Sequence, residues 1–222
     1  MTDGSRAASA ARTTLHFIRH GDAVPDGDAL AEGAGGYDVL GLSAKGTAQA
    51  TALAHRLALT TPLAAVYSSP TRRARETADA VAHAAGLAVR TDERLREIYL
   101  GDESMATVPP AARSAAVRER LAMLAGIALR DGSWNAVPGV EAGADVRARM
   151  ISAAGDIVAM HPDAHVAIVS HAGSINAYLA AFLGVPRDFF FPIGNTSLSS
   201  VRIADPALLL RLNDTAHLET LA

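Results

Sequence analysis

The chain has 222 residues, half of them hydrophobic, which suits one large α/β domain or one domain with a small cap. Twenty Lys and Arg residues against 23 Asp and Glu leave a formal charge of −3, so the composition predicts neither a nucleic-acid partner nor an anionic membrane partner. The absence of cysteine excludes disulfides, thiolate nucleophiles and cysteine-ligated metals.

The first segment, residues 1–13, is small and polar and has no apolar stretch of the kind that a secretory signal carries. We expect it to be a flexible tail, followed by a single domain over residues 14–222. No run approaches the length of about 18 apolar residues that spans a membrane. These features together favour a cytoplasmic protein.

The first predicted strand is a mainly apolar run that starts at Thr14 and ends in Arg19, His20 and Gly21. Unbroken apolar residues are typical of a strand that is buried on both faces of a parallel sheet. Ligands of open α/β sheets bind beyond the carboxyl ends of the strands. Arg19 and His20 are therefore predicted to lie where such a sheet does its chemistry. The segment 22–41 is rich in Gly, Asp and Ala, and we expect it to form a mobile loop over this site.

Helices and strands then alternate. Ser43 is a predicted N-cap of the first helix, and residues 63–67 form the second predicted strand. Ser69 followed by Pro70 predicts an N-cap and the first position of the second helix. Residues 87–90 form a short third predicted strand.

Residues from about 102 to 143 interrupt this alternation, and we interpret them as an inserted cap. They contain a predicted helix with Val117, Leu124 and Ala128 on one face. Trp134, the only tryptophan, is expected to pack within the cap rather than to contact substrate.

The last part of the chain repeats the opening pattern: an apolar strand from residue 165 ends in His171, and Gly173 and a helix follow. Residues 197–203 and 208–212 are predicted to form an edge hairpin, whose free edge permits a homodimer. The alternation predicts an α/β fold: a three-layer, doubly wound, mostly parallel sheet with helices on both faces and a small helical cap insertion.

Polar side chains adjoin four of these segments: Arg19 and His20, Arg72 and Arg73, Glu97, and His171. Forked guanidinium donors suit phosphate oxygens. The helix starts after Ser69 and Gly173 add free N–H groups and positive helix-dipole ends. The sequence therefore predicts a pocket for a dianion. A neutral imidazole in such a pocket is a competent nucleophile toward phosphorus, and the surrounding positive charge should keep His20 unprotonated.

Four blocks, taken in order, resemble the histidine phosphatase superfamily, which has the phosphoglycerate-mutase-like fold. They are Arg19-His20-Gly21, residues 68–78 (SSPTRRARETA), Leu95-Arg96-Glu97 with Gly101, and Val169-Ser170-His171-Ala172-Gly173. Their order and spacing match along residues 14 to about 203. The resemblance implies a metal-independent phosphoric monoester hydrolase that needs no cofactor and acts on a small phosphorylated substrate.

The resemblance also implies a role for each matching residue. His20 would be the nucleophile that becomes phosphorylated. Arg19, Arg73 and His171 would bind the phosphoryl group and stabilise its transition-state charge. Glu97 would protonate the departing oxygen and then activate water. Further substrate contacts are implied at Gly21, Asp22, Gly173 and Ser174. Arg73 is chosen over Arg72 because the family pattern places its arginine directly before an alanine, here Ala74.

Two departures from the family pattern leave alternatives open. Many phosphatases of the family have Trp-Glu-Gly after the third block, whereas Glu103 follows Gly101 and Asp102 here, so Glu103 is a reserve candidate for the acid. The first block continues with Asp22 and Ala23 in place of two usual phosphate contacts. Phosphoglycerate mutase-type phosphoryl transfer, a protein phosphohistidine phosphatase and a phospho-ligand-binding module without turnover remain alternative functions.

Overall fold

A computed structural model of the chain describes residues 12–24, 40–99, 108–109 and 112–221. Most of the predicted tail, most of the predicted loop over the site, and Glu103 lie outside these residues. The described strands are β1 (Thr13–Arg19), β2 (Leu63–Ser68), β3 (Val89–Thr91), β4 (His165–Ser170), β5 (Leu198–Ile203) and β6 (Leu208–Asp214). The described α-helices are α1 (Ala44–Thr60), α2 (Arg72–Ala85), α3 (Arg113–Asp131), α4 (Gly143–Met160) and α5 (Ala172–Leu183). Short 3-10 helices cover Glu93–Leu95, Trp134–Ala136 and Ala216–Leu221.

The strands form one sheet in the order β3-β2-β4-β1-β5-β6. The four strands from β3 to β1 run parallel, while β5 lies antiparallel to β1 and β6 antiparallel to β5. The predicted C-terminal hairpin is confirmed, with β6 at the sheet edge. The parallel half is the part that matters for the site, because it aligns the carboxyl ends of β2, β4 and β1.

Helices cover both faces of the sheet, which confirms the predicted three-layer α/β fold. On one face, Leu53 of α1 and Ala78 of α2 pack against Ile18 and Val66. On the other face, the core is formed by side chains of α3, α4 and α5 against β1, β2 and β4, among them Leu124, Met150, Leu179, Phe17, Tyr67 and Ile168. The strands are apolar on both faces because both faces are covered.

The helix of the predicted cap, α3, and the short helix after it pack against the rest of the described chain. Val117 packs with Ala23 and Val24, directly after the Arg19-His20-Gly21 block. Ala128 and Trp134 belong to the main core, where the Trp134 ring lies 5.1 Å from the ring of Phe189. Trp134 therefore packs, as expected, but it does so in the main core rather than within the predicted cap. The division of the chain into a tail, a domain and an inserted cap stays a prediction.

Two predicted element boundaries are wrong. β3 begins at Val89 rather than at residue 87, because the Leu87 N–H donates to Ala82 O and so closes α2. The N-cap of α2 is Thr71 rather than Ser69. The Ser69 hydroxyl lies 2.8 Å from Nε2 of His171, so a distant side chain takes the group that would otherwise cap the helix.

His16 on β1 is a buried histidine far from any helix end. Its Nε2 lies 2.9 Å from Nδ1 of His165, and its Nδ1 lies 2.8 Å from the Ser200 hydroxyl. Burial, together with the charges of His165 and Arg211, lowers the pKa of His16 to about 4. The folded protein therefore holds this imidazole neutral at pH values where an unfolded chain protonates it.

We expect acidification to weaken the fold through His16. Between pH 6.5 and pH 4 the unfolded state binds the extra proton, so the free energy of unfolding falls as the pH falls through this window. The share of this one residue is roughly 2 to 3 kcal/mol. Urea unfolding at pH 7 and pH 4.5 should show a smaller difference for His16→Gln than for the wild type. An equal difference for both proteins would contradict the assignment.

Among the described residues, no helix is long and apolar enough to cross a membrane.

Candidate active site

Three strand ends bring the predicted site residues together. β4 lies between β2 and β1, so the segments that follow these strands are neighbours. The His20 N–H donates to Ser170 O over 3.0 Å, and the Ser69 N–H donates to Val169 O over 2.9 Å. His20, Ser69 and His171 therefore leave the same edge of the sheet, as expected for an open parallel sheet.

His20 is 2% exposed and is held by hydrogen bonds on both ring nitrogens. Its Nδ1 lies 2.7 Å from Gly21 O, and a carbonyl oxygen can only accept, so Nδ1 carries the hydrogen. The Arg73 Nε–H donates to His20 Nε2 over 3.2 Å. The Nε2 lone pair of a neutral ring therefore points toward the guanidinium group.

Burial is the main cause that lowers the pKa of His20 well below its usual value, and the charges of Arg73 and Arg19 act in the same direction. The hydrogen bond to Gly21 O opposes this shift without reversing it. The lowered pKa favours the neutral form of the ring at physiological pH. The sequence analysis expected this from the surrounding positive charge, whereas burial is the larger cause.

Arg73 is the largest fully buried side chain among the described residues. It contacts both imidazoles, because its Nη2 lies 3.4 Å from Nδ1 of His171. Its neighbour Arg72 instead faces solvent, with 64% of its side chain exposed and an ion pair to Glu76. The structure thus places Arg73, not Arg72, beside His20. A buried cation on two neutral rings is a strong binding site for an anion.

Arg19 adds a second guanidinium group to the same region, since its charge acts on both buried imidazoles. Its Nη1–H donates to Ile193 O over 2.5 Å. Its Nε is buried and has no hydrogen-bond partner among the residues that the structure describes. A buried donor of this kind favours an anionic acceptor, such as a phosphoryl oxygen.

His171 lies edge-on to His20, with 5.0 Å between the ring centres. Arginine can only donate, so Nδ1 of His171 accepts from Arg73 and Nε2 carries the hydrogen of the neutral ring. Nε2–H lies 2.8 Å from the Ser69 hydroxyl and 3.3 Å from the Thr71 hydroxyl. Burial first, and then the charge of Arg73, lower the pKa of His171 well below its usual value. It is therefore a neutral hydrogen-bond donor rather than a cation.

The turn that carries His20 is fixed by Thr77 and Asn195, two side chains outside the predicted set of site residues. The Gly21 N–H donates to the Thr77 hydroxyl over 3.1 Å, and that hydroxyl donates to Arg73 O over 2.8 Å. One oxygen atom thus links the His20 turn to the arginine beside it. On the opposite side, Asn195 Nδ2 donates to His20 O over 3.0 Å. The only sequence signal for Thr77 is its position four residues after Arg73, which is where a helical hydroxyl reaches back to a carbonyl.

The carboxylate of Glu97 lies at the N-terminus of α5, the helix that begins directly after His171. Its carboxylate accepts from the Gly173 N–H over 3.3 Å and from the Ser174 N–H over 3.1 Å. The Ile98 N–H donates to the same carboxylate over 3.0 Å. These donors hold the carboxyl group at the start of the helix that His171 precedes. The structure therefore brings the predicted acid to the same helix start as the second imidazole.

The four further substrate contacts implied by the resemblance stay predictions, and the structure gives each residue a contact of its own. The Gly173 and Ser174 N–H groups donate to the Glu97 carboxylate. The carboxylate of Asp22 accepts from the Ser43 hydroxyl over 2.6 Å, at the predicted N-cap of α1. A Cβ on Gly21 would lie 2.7 Å from Gly46 O, so glycine lets this turn approach α1 closely.

The described residues thus form a cradle of two guanidinium groups and two neutral imidazoles, with a carboxyl group at the adjoining helix start. Such a set can bind a phosphoryl group, attack it with a ring nitrogen and supply a proton to the leaving oxygen. No three histidine, aspartate or glutamate side chains of the described residues cluster in a way that could hold a metal ion.

Comparisons with known proteins agree with this chemistry. The family model for the histidine phosphatase superfamily (branch 1) matches residues 15–215. A glucosyl-3-phosphoglycerate phosphatase of Mycolicibacterium vanbaalenii is 34% identical over 194 residues, which cover 84% of this chain and 81% of that protein.

Two solved structures illustrate the similarity of the fold. Bacillus stearothermophilus YhfR has a TM-score of 0.73 at 27% identity, over 93% of this chain and 99% of that one. A mycobacterial glucosyl-3-phosphoglycerate phosphatase, solved in complex with VO3, has a TM-score of 0.66 at 32% identity, over 91% of this chain and 99% of that one.

Proposed function

The chain belongs to branch 1 of the histidine phosphatase superfamily, and we propose that it hydrolyses a phosphomonoester through a covalent phosphohistidine at His20. The contact between Arg73 Nε–H and His20 Nε2, over 3.2 Å, is the observation that supports this most directly. This contact supports Nε2 as the reacting nitrogen, because Nδ1 carries the hydrogen that is bonded to Gly21 O and the Nε2 lone pair faces the guanidinium group that would bind the phosphoryl oxygens.

In the first step, His20 Nε2 forms a bond to phosphorus while the bond from phosphorus to the ester oxygen breaks. Arg73 and Arg19 balance the charge on the phosphoryl oxygens, and the neutral His171 accepts a hydrogen bond from Arg73 and so helps to orient its guanidinium group. Glu97 gives its proton to the departing oxygen, so that the alcohol leaves neutral.

In the second step, water attacks phosphorus and the bond between nitrogen and phosphorus breaks. Glu97, now ionised, takes a proton from that water. Inorganic phosphate leaves, and the neutral ring and the protonated acid are restored. The Gly21 carbonyl keeps the Nδ1 hydrogen in place throughout, so that the same nitrogen reacts in every turnover.

The proposed substrate is a small phosphorylated acid. The relative from M. vanbaalenii and the vanadate-bound mycobacterial structure both carry the name glucosyl-3-phosphoglycerate phosphatase. The identity of 34% over most of both chains supports a related substrate class here. We further propose that the insertion from about 102 to 143 contributes to substrate selection, since Val117 of α3 packs beside Ala23 and Val24, close to His20 in sequence.

A substrate panel tests the proposed function. We expect release of inorganic phosphate from p-nitrophenyl phosphate, and faster release from glucosyl-3-phosphoglycerate than from 3-phosphoglycerate or phosphoserine, with equal rates in the presence of a chelator. Transfer of phosphate within phosphoglycerate without its release would instead indicate a mutase. Activity that requires added divalent metal would contradict the proposed mechanism.

A further inference from the structure

Arg149, on α4, uses all five N–H groups of its guanidinium as hydrogen-bond donors. The acceptors are backbone carbonyls of the segment that carries Glu97 and the carboxylate of Glu141. Nη1 of Arg149 donates over 2.7 Å to both Arg94 O and Arg96 O. Its Nη2 lies 3.2 Å from Glu97 O and 3.0 Å from one oxygen of Glu141. Its Nε donates to the other Glu141 oxygen over 2.9 Å. The five N–H bonds of a guanidinium group are thereby all used.

Glu141 extends this contact to the chain on the far side of Glu97. Its N–H donates to Tyr99 O over 3.0 Å, and its carboxylate accepts from the Tyr99 N–H over 3.3 Å. Burial acts to raise the pKa of Glu141, but the hydrogen bonds and charge of Arg149 outweigh it and lower the pKa. Glu141 is therefore an ionised partner in a bidentate pair.

The other restraints on Glu97 come from α5. Ser174 donates its hydroxyl to Arg96 O over 2.5 Å and its N–H to the Glu97 carboxylate over 3.1 Å. Most of the contacts to the backbone around Glu97 thus come from Arg149 on α4, whereas α5 holds the Glu97 carboxylate and adds one contact to Arg96 O. Since both helices contact the segment directly, a loss of the α4 contacts would leave the carboxyl group attached to only one of them.

We propose that Arg149 is a positioning residue for the proton donor Glu97, with Glu141 orienting Arg149. This proposal rests on the acid role of Glu97 in the proposed function. Arg149 holds the backbone carbonyls of Arg94, Arg96 and Glu97, and a lysine could not reproduce this because its ammonium group has three donors and no planar fork. A displacement of about 1 Å at a catalytic group can reduce a rate by about 100-fold.

The experiment compares two substrates whose leaving groups need the proton to different degrees. An alkyl phosphate needs protonation of its departing oxygen, whereas p-nitrophenyl phosphate does not. We expect Glu97→Gln to lower kcat/KM by about 100-fold or more on the alkyl phosphate and by less than about 10-fold on p-nitrophenyl phosphate. The quantity compared is kcat/KM because it ends at loss of the leaving group and so excludes the later water step, which both substrates share. Arg149→Met should show the same preference at a loss of about 10- to 100-fold, and Arg149→Lys should not restore the rate.

The double variant Glu97→Gln, Arg149→Met identifies the route of the effect. If Arg149 acts through Glu97, the double variant should be no slower on the alkyl phosphate than Glu97→Gln alone. Multiplied losses in the double variant, or equal losses on both substrates for Arg149→Met, would overturn the inference. Equal losses on both substrates for Glu97→Gln would instead show that the acid role itself is wrong. This result needs no Arg149 variant, so failure of the proposed function can be distinguished from failure of the inference about Arg149.

Arg56 provides a matched control for loss of folding. It forms a bidentate pair with Asp214, and the two side chains are 23% and 24% exposed, close to the 18% and 25% of Arg149 and Glu141. Arg56→Met should lower thermal stability to a similar extent but leave the ratio of the two rates unchanged. Should Arg149→Met fail to fold, Glu141→Gln tests the same contact with a smaller perturbation, and we expect it to shift the ratio in the same direction.

Discussion

Replacing His20 with alanine is expected to lower kcat on p-nitrophenyl phosphate by at least about 10⁴-fold, because the covalent step disappears with the ring. Rapid base quenching after a burst with labelled substrate should trap a phosphorylated wild-type chain, whose label is then lost on acidification because a bond between nitrogen and phosphorus is stable in base and labile in acid. The variant should carry no label. The Nδ1 hydrogen bond to Gly21 O explains why the reactive nitrogen would be Nε2.

Two further variants complete this test. His20→Asn retains a side-chain donor that can reach Gly21 O, so it separates loss of the nucleophile from disruption of the turn. His55 on α1 is exposed, and His55→Ala should retain the wild-type rate. Near-native rates in either His20 variant, or label that remains on the chain after the ring is removed, would rule out the proposed mechanism.

Replacing Arg73 with methionine is expected to lower kcat/KM on p-nitrophenyl phosphate by about 10³-fold. The buried guanidinium contacts both imidazoles and is positioned to bind the phosphoryl oxygens. Inhibition by inorganic phosphate should weaken together with the rate. Arg73→Lys should recover little activity, since an ammonium group cannot donate from two nitrogens at once.

The same substitution should not lower the melting temperature. A charge that is held in a fully buried position costs desolvation energy, and an apolar side chain of similar length avoids this cost. We therefore expect Arg73→Met to be inactive and at least as stable as the wild type. Arg72→Met, at the exposed neighbouring position, should keep kcat/KM within about threefold. A stable Arg73 variant with full activity would remove this residue from the site.

The parallel half of the sheet and the position of His20 at its edge follow from local sequence alone. Both strands that precede a site histidine are mainly apolar and do not alternate with polar residues, a pattern typical of strands that are covered on both faces. Local sequence alone does not indicate whether Arg72 or Arg73 belongs to the site. Two adjacent helical residues face different directions, and only the family pattern, with Ala74 next, indicated which of them points inward.

Interactions between distant parts of the chain explain what the sequence did not predict. Serine is a residue type that commonly caps helices, but the hydroxyl of Ser69 forms a hydrogen bond with His171, 102 residues later in the chain. Arg149 has the pattern of an ordinary surface charge on an amphipathic helix, and only the fold brings the carbonyls of 94–97 to it. Rules based on residue propensity consider only neighbours in the sequence, so they assign Ser69 and Arg149 the role that such residues most often have.

The pairing of Tyr99 with Glu141 has an evolutionary consequence. Tyr99 and Glu141 share hydrogen bonds, so the ends of the intervening segment are fixed at one point. Lengthening a loop between fixed ends adds only about 0.6 kcal/mol per doubling. We therefore expect insertions beside these two residues to cost little stability when they spare Leu124, Ala128 and Trp134, which belong to the main core, and selection for new metabolites can act there.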